Sequence, residues 1–183
     1  MKRSLFGVAM GLAMIATTAH AQSMVAAAKP VSFGVAGGLS IPTGDFGDAF
    51  KSGFNVSALG EIHQAAWPVA IRIEAQYDQF SAKDEIGDGK VKSIGGLANV
   101  LYYFPSKAMV KPYVTGGLGL FHNKADDSIC DGGCSSTKFA FDFGAGLQFQ
   151  LTGISTFVEA NWNSIQTEGS ATHMIPVRVG IKF

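Results

Sequence analysis

Charge is what this chain has little of. Asp, Glu, Lys and Arg make up 15% of its 183 residues, against about 25% in an average soluble domain. Lys and Arg number 14, as do Asp and Glu, so the basic excess of a nucleic-acid binder is missing. Long apolar runs are missing as well. A helical span needs about 20 apolar residues, and nothing beyond the N-terminus approaches that, which excludes a helical membrane protein. Cysteine is confined to Cys130 and Cys134. What is plentiful is apolar surface and small residues: 47% hydrophobic, with 23 Gly and 14 Phe. So apolar and charge-poor a chain fits a membrane protein whose apolar residues face lipid. A closed β-barrel satisfies that condition without helices, because it pairs every backbone group internally.

The N-terminus reads as a leader. Lys2 and Arg3 form a positive start, Leu5 to Ala16 is apolar, and Ala19-His20-Ala21 supplies a small-x-small cleavage pattern, together a secretory signal peptide over residues 1–21. The apolar stretch is too short for an anchor, and no Cys follows the cleavage site as a lipoprotein would require. Residues 22–183 are then expected to form one domain. Loss of Lys2 and Arg3 leaves it slightly acidic.

Period-2 alternation bounded by Gly, Pro, Asn and Asp marks eight strands. In the first, Val31 to Ile41, Val31, Phe33, Val35, Leu39 and Ile41 oppose Ser32, Gly34, Ala36, Gly38 and Ser40. The second, Gly53 to His63, sets Phe54, Val56, Ala58 and Ile62 against Asn55, Ser57 and Glu61. The third, Val69 to Phe80, alternates Val69, Ile71, Ile73, Ala75 and Tyr77 with Ala70, Arg72, Glu74, Gln76 and Asp78. The fourth is Val91 to Phe104, with Ile94, Ala98, Val100, Tyr102 and Phe104 on its apolar face. Glycine blurs the facing of the fifth, Pro112 to His122; Val114, Leu118 and Leu120 are assigned outward. The sixth, Lys138 to Leu151, gathers Phe139, Phe141, Phe143, Ala145, Leu147 and Phe149 opposite Asp142, Gln148 and Gln150. In the seventh, Ile154 to Ile165, Val158, Ala160 and Trp162 oppose Glu159, Asn161 and Asn163. The eighth, His173 to Phe183, places Val177, Val179, Ile181 and Phe183 opposite Arg178 and Lys182. Strands of roughly 11 residues, rising about 3.3 Å each and tilted near 45°, span about 25 Å, the apolar height of an outer-membrane barrel. Long connections (43–52, 81–90, 123–137, 166–172) alternate with short ones (64–68, 105–111, 152–153), which is also the barrel pattern.

Alternation alone permits either an inward or an outward apolar face. A lipocalin-like barrel turns its apolar side chains inward; a membrane barrel turns them out. Three features favour the membrane. The polar faces are rich in Gly, Ser and Asn and poor in Lys, which suits a crowded interior. Aromatics gather at strand ends, with Trp67, Tyr102, Phe104, Phe149 and Phe183 near the short turns. Tyr77, Phe80, Phe139, Trp162 and Phe54 lie near the long loops, giving the two girdles expected of interfaces. Phe183 ends an alternating strand. A polar interior and an apolar exterior follow.

Leu101-Tyr102-Tyr103-Phe104-Pro105, Lys111-Pro112-Tyr113-Val114-Thr115-Gly116-Gly117-Leu118-Gly119, Phe143-Gly144-Ala145-Gly146-Leu147, Phe157-Val158-Glu159-Ala160 and the ending Val177-Arg178-Val179-Gly180-Ile181-Lys182-Phe183 make the chain resemble the small bacterial outer-membrane β-barrel domain family of the OmpA/OmpX-like type. The resemblance covers essentially all of residues 22–183. It implies an all-β, eight-stranded antiparallel up-and-down transmembrane barrel in the outer membrane, with Phe183 as the C-terminal signal read by the barrel-assembly machinery.

Inward polar residues are the first candidates for chemistry. If the second hairpin turns about 64–68, Glu61 falls opposite Arg72, with Glu74 further along the same face; Arg178 falls near Glu159 and Asn161. Glu61 and Glu74 are the acceptors expected for Arg72. A gated pore or a catalytic carboxylate would use such residues, but an eight-stranded lumen is just wide enough for side chains to fill. An interior polar network of Glu61, Arg72, Glu74, Glu159 and Arg178 is therefore expected. Cys130 and Cys134 flank Asp131-Gly132-Gly133 and read, in an oxidising compartment, as a disulfide. A metal there would need ligands beyond His122, Asp126 and Asp127. The acidic loops Asp45/Asp48, Asp84/Glu85/Asp88 and Asp126/Asp127/Asp131 match no twelve-residue Ca²⁺ loop. His63, His122 and His173 assemble no evident Ser–His–acid group. The expectation is thus a non-enzymatic, cofactor-free integral outer-membrane protein with a structural or surface-interaction role. The alternatives are a narrow channel for small solutes or, further off, a lipid-modifying enzyme. The expected partners are outer-membrane lipid and lipopolysaccharide and the barrel-assembly machinery, with no nucleic acid, and the chain is expected to be a monomer.

Overall fold

The computed structural model turns this alternation into eight antiparallel strands closed on themselves. It describes residues 30–64, 67–84, 89–106, 108–126, 134–167 and 170–183. The strands are β1 (Val31–Thr43), β2 (Gly53–His63), β3 (Val69–Ser81), β4 (Lys90–Tyr103), β5 (Val110–Ala125), β6 (Cys134–Gln150), β7 (Ser155–Thr167) and β8 (Ser170–Lys182), with one short helix, α1 (Asp45–Ala49). Each pairs with its sequence neighbours, and β1 pairs with β8 to close the barrel. The leader expected over residues 1–21 lies outside the described residues. Among those described, no helix is long and apolar enough to cross a membrane.

The outer face carries the apolar set. Phe33, Ile73, Ile94, Phe143 and Val179 are each more than half exposed, as are Leu118 and Leu120 of β5. That settles the facing of the Gly-rich strand as assigned. Polar side chains at the opposite parity are buried: Arg72, Glu74, Gln76 and Asp78 on β3, Glu159, Asn161 and Asn163 on β7. This is the reverse of a water-soluble barrel.

Three details depart from the sequence reading. First, the loop 123–137 is shorter than expected. Pairing of β5 with β6 continues through Asn123↔Ser136 to Ala125↔Cys134, and that of β7 with β8 reaches Thr167↔Ser170. The hairpins run on beyond the apolar belt, where Asn, Lys, Ser and Thr occupy both faces and the alternation vanishes although the backbone ladder persists. Second, the first long connection holds α1 and a bridge between Phe50 and Ala82. Third, the interior is layered rather than uniformly polar. Phe80 belongs to no girdle: it is 1% exposed and packs inside with Leu97, Phe121, Ala140, Ile165 and Met174, capped by Phe46 of α1 and by Phe50. Phe80 shares the parity of Asp78, so the ladder directs it into the lumen.

Inward aromatics fit because glycine faces them across the ladder. Phe121 is paired with Gly95, Tyr113 with Gly146 and Phe157 with Gly180. A Cβ on any of these glycines would overlap the facing ring. The ring covers the glycine backbone, the arrangement designed barrels use to keep such strands paired. Gly95, Gly146 and Gly180 are thus the complements of large rings in a narrow lumen.

Candidate functional site

Below the apolar layer, side chains from β2, β3, β7 and β8 meet in the lumen. β2 and β3 are in register at Glu61↔Arg72, and β7 and β8 at Glu159↔Arg178. Glu61, Arg72, Glu74, Glu159 and Arg178 are all 2% exposed or less. Glu159 is the hub. Its Oε2 accepts from Arg72 Nη1 at 2.7 Å and from the Tyr113 hydroxyl at 2.7 Å. Its Oε1 accepts from Arg178 Nε at 3.1 Å and Asn161 Nδ2 at 3.0 Å. Arg72 Nε donates to Glu61 Oε2 at 3.1 Å; its Nη2 lies 3.0 Å from the same oxygen, but off the hydrogen-bond direction. Arg178 clamps both oxygens of Glu74 with Nη1 and Nη2.

Glu74 therefore serves Arg178 across the lumen and not Arg72, the partner expected from the sequence. Residues two apart on one strand face point in parallel, whereas a narrow barrel brings opposite walls within reach of a guanidinium. Arg72 takes Glu61 and Glu159 instead, with its Cζ 5.3 Å from the centre of the Phe157 ring.

The sequence reading missed three members. Lys182 Nζ donates to Glu61 Oε1 at 2.8 Å and to Gln148 Oε1 at 2.8 Å. The Tyr103 hydroxyl donates to Glu61 at 2.7 Å, and Tyr113 joins at Glu159. Lys182 shares the parity of Arg178 and was legible on that ground. The tyrosines were legible on the same ground, Tyr103 lying between the outward Tyr102 and Phe104 and Tyr113 beside the outward Val114, but their aromatic character masked the inward hydroxyl. With Lys182 the layer balances Glu61, Glu74 and Glu159 against Arg72, Arg178 and Lys182. Nearer the long loops Asp78 takes Ser40 Oγ at 2.5 Å and Gln76 Nε2 at 2.8 Å, and Asp142 takes Asn99 Nδ2 at 2.6 Å.

The remaining candidates stay apart. His63 Nε2 lies 3.1 Å from Glu61 Oε1, at the short-turn end. His122 Nδ1 lies 3.0 Å from Thr137 Oγ1 on an exposed face, and His173 stacks on Trp162 at 4.8 Å. None is held between an acid and a hydroxyl nucleophile among the described residues. Those residues also contain no cluster of three His, Cys, Asp or Glu side chains suited to a metal. Cys134 opens β6, while Cys130, and with it the disulfide expected between the two, lies outside the described residues, as do Glu85, Asp88, Asp127 and Asp131. Phe183 is exposed and exchanges backbone hydrogen bonds with Phe33, at 2.9 and 3.1 Å.

Comparison with known proteins returns this architecture. Neisserial surface protein A superimposes with a TM-score of 0.66 at 16% identity, over 84% of this chain and 96% of that one. A major outer membrane protein from Thermus thermophilus gives 0.55 at 14% identity, over 84% and 98%. At these identities the likeness shows the fold alone. No curated protein matches by sequence. A family model described as the outer membrane protein beta-barrel domain matches residues 9–183, and the chain accordingly belongs to that family and resides in the bacterial outer membrane.

Proposed function

We propose that this chain acts through its structure and the surface its loops and rim present, and is neither an open porin nor an enzyme. One observation carries the reading: the lumen is filled at two levels. The Arg72–Glu159–Arg178 layer spans it from wall to wall, and the Phe80–Phe121–Met174 layer, with Phe46 and Phe50, fills it towards the long loops. A solute would have to break a buried charge network and displace an apolar plug. Outer-membrane lipid and lipopolysaccharide are the proposed partners of its surface. The barrel-assembly machinery, reading the strand that ends at Phe183, is the proposed partner during biogenesis. The mature protein is proposed to be a monomer. Planar-bilayer conductance tests the filled lumen: the purified barrel should give no large, long-lived openings. Stable openings would support the narrow-channel reading instead.

A further inference from the structure

The outer face of β4, β5 and β6 changes chemistry over three successive rungs as it leaves the apolar belt. The deepest joins Gly96, Leu120 and Phe139, with Leu120 and Phe139 about half exposed. The next joins Ile94, His122 and Thr137. The third joins Lys92, Lys124 and Ser135, with Gln79 of β3 on the far side of Lys92. Lys92, Lys124 and His122 are exposed. Two lysines thus stand directly opposite each other in one ladder, a pairing that is destabilising unless something offsets it. Their flanking partners, Gln79 and Ser135, are neutral. Asp126, whose amide bonds the Lys90 carbonyl at 3.1 Å, lies one rung further out, beside Lys90. Neither Lys92 nor Lys124 forms an ion pair with a described residue.

We propose that Lys92 and Lys124, with His122 beneath them, form a binding site for the phosphate of an outer-leaflet glycolipid headgroup, the phosphorylated glucosamine end of lipopolysaccharide. Depth selects a lipid over a free anion. The lysines sit one rung beyond Ile94 and two beyond Leu120 and Phe139, about 7 and 13 Å along the strand. An anion held by them therefore lies at headgroup level while its acyl chains run along Leu120, Phe139 and Ile94. Long cationic side chains reach from an apolar stem to a charged layer in just this way. The long loops lie at this end of the barrel, which is the extracellular end and the leaflet that carries lipopolysaccharide. The inference rests on the lipopolysaccharide partner proposed above and assigns it a site.

The test uses the full barrel refolded in zwitterionic micelles, with backbone amide NMR shifts at Lys92, Lys124 and His122 as the readout. Bisphosphorylated lipid A should give saturable shifts at these positions; enzymatically dephosphorylated lipid A should not. Each lysine near an anionic lipid surface is worth about fivefold in affinity, so Lys92→Gln/Lys124→Gln should weaken binding by about 25-fold. Lys51→Gln, in the first loop, should leave it unchanged. Equal binding of the dephosphorylated lipid, or an unchanged double variant, overturns the site. Displacement by millimolar inorganic phosphate assigns it to free anions and also overturns the proposal. Should the double variant fail to fold by heat-modifiable gel mobility, the two lipid A forms on the unaltered protein still decide. Conductance reads the lumen and this titration reads the rim, so the two proposals fail independently.

Discussion

Removing the Glu159 carboxylate should be the most damaging single change in the charged layer. Glu159→Ala deprives two guanidiniums of one shared acceptor: Arg72 loses its 2.7 Å bond, and Arg178 loses two, from Nε at 3.1 Å and from Nη2 at 2.5 Å. Arg72 keeps Glu61 and Arg178 keeps Glu74, so neither is fully stranded, yet the layer goes from balanced to one excess positive charge. Arginine cannot relieve this by losing its proton. Breaking a buried pair from one side costs about 3–5 kcal/mol, a large part of the 5–15 kcal/mol that typically separates folded from unfolded protein. Arg72→Met should cost less than Glu159→Ala, because Glu159 retains Arg178 and Glu61 retains Lys182. The double variant should then be more stable than the sum of the two losses, with a coupling of about 1–3 kcal/mol, the range for residues in one network. Urea unfolding in lipid vesicles, followed by the fluorescence of Trp67 and Trp162, measures all three. A loss under about 0.5 kcal/mol for Glu159→Ala, or strict additivity in the double variant, would refute the shared-acceptor argument.

Glu61→Ala should be milder than Glu159→Ala by about 1–2 kcal/mol in the same assay, since Lys182 retains Gln148 and Tyr103 and a lysine can shed its charge. Phe80→Ala should cost about 3–5 kcal/mol by opening the apolar layer beneath Phe46; a neutral result would mean that layer is already loose. Gly95→Ala should destabilise by about 1–3 kcal/mol through overpacking against the Phe121 ring, which the new Cβ would overlap, whereas Gly96→Ala meets nothing within 4 Å and should be silent. Ile73→Arg should cost about 2–4 kcal/mol in vesicles, because Ile73 is outward and 58% exposed; tolerance of arginine there would place that face away from lipid.

How much of this was legible follows from what each strand offers. β3 was readable because Ile71, Ile73 and Tyr77 alternate with Arg72, Glu74 and Asp78, and parity alone assigns both faces. The pairing of Glu61 with Arg72 followed too, because a short turn sets the register of one hairpin. Glu74 with Arg178 did not follow. The two lie 104 residues apart in the chain on strands that are not neighbours, and only the diameter and stagger of the closed barrel bring them together. Phe80 was misplaced by weighing its nearness to a long loop above its parity with Asp78. The outer parts of β5 and β6 were missed because Asn123, Lys124, Ser135 and Ser136 carry no apolar marker on either face. The Gly–aromatic pairs were invisible one strand at a time, since Gly95 has meaning only beside Phe121.

Why a barrel should spend charge inside rather than fill the space with apolar side chains is answered by the membrane outside. Replacing a buried ion cluster by well-packed apolar groups often leaves a protein as stable or more so, so the layer is not explained by stability alone. In a strand of period two, a slip of one residue exchanges the faces. Were the interior apolar as well, β3 slipped by one would present apolar side chains to lipid on either register and lose little. With Arg72, Glu74 and Asp78 at inward parity, the same slip drives three ionisable groups into hydrocarbon. A single such arginine near the midplane costs about 2–4 kcal/mol, and the slip would leave Glu61, Glu159 and Arg178 with broken partnerships on the facing walls. The charged layer thus fixes register strand by strand against a solvent that rewards any apolar face. Its reach across the lumen, from Arg72 to Glu159 and from Arg178 to Glu74, couples strands that share no backbone hydrogen bonds. The network that fills one level of the lumen therefore also holds the strands in register.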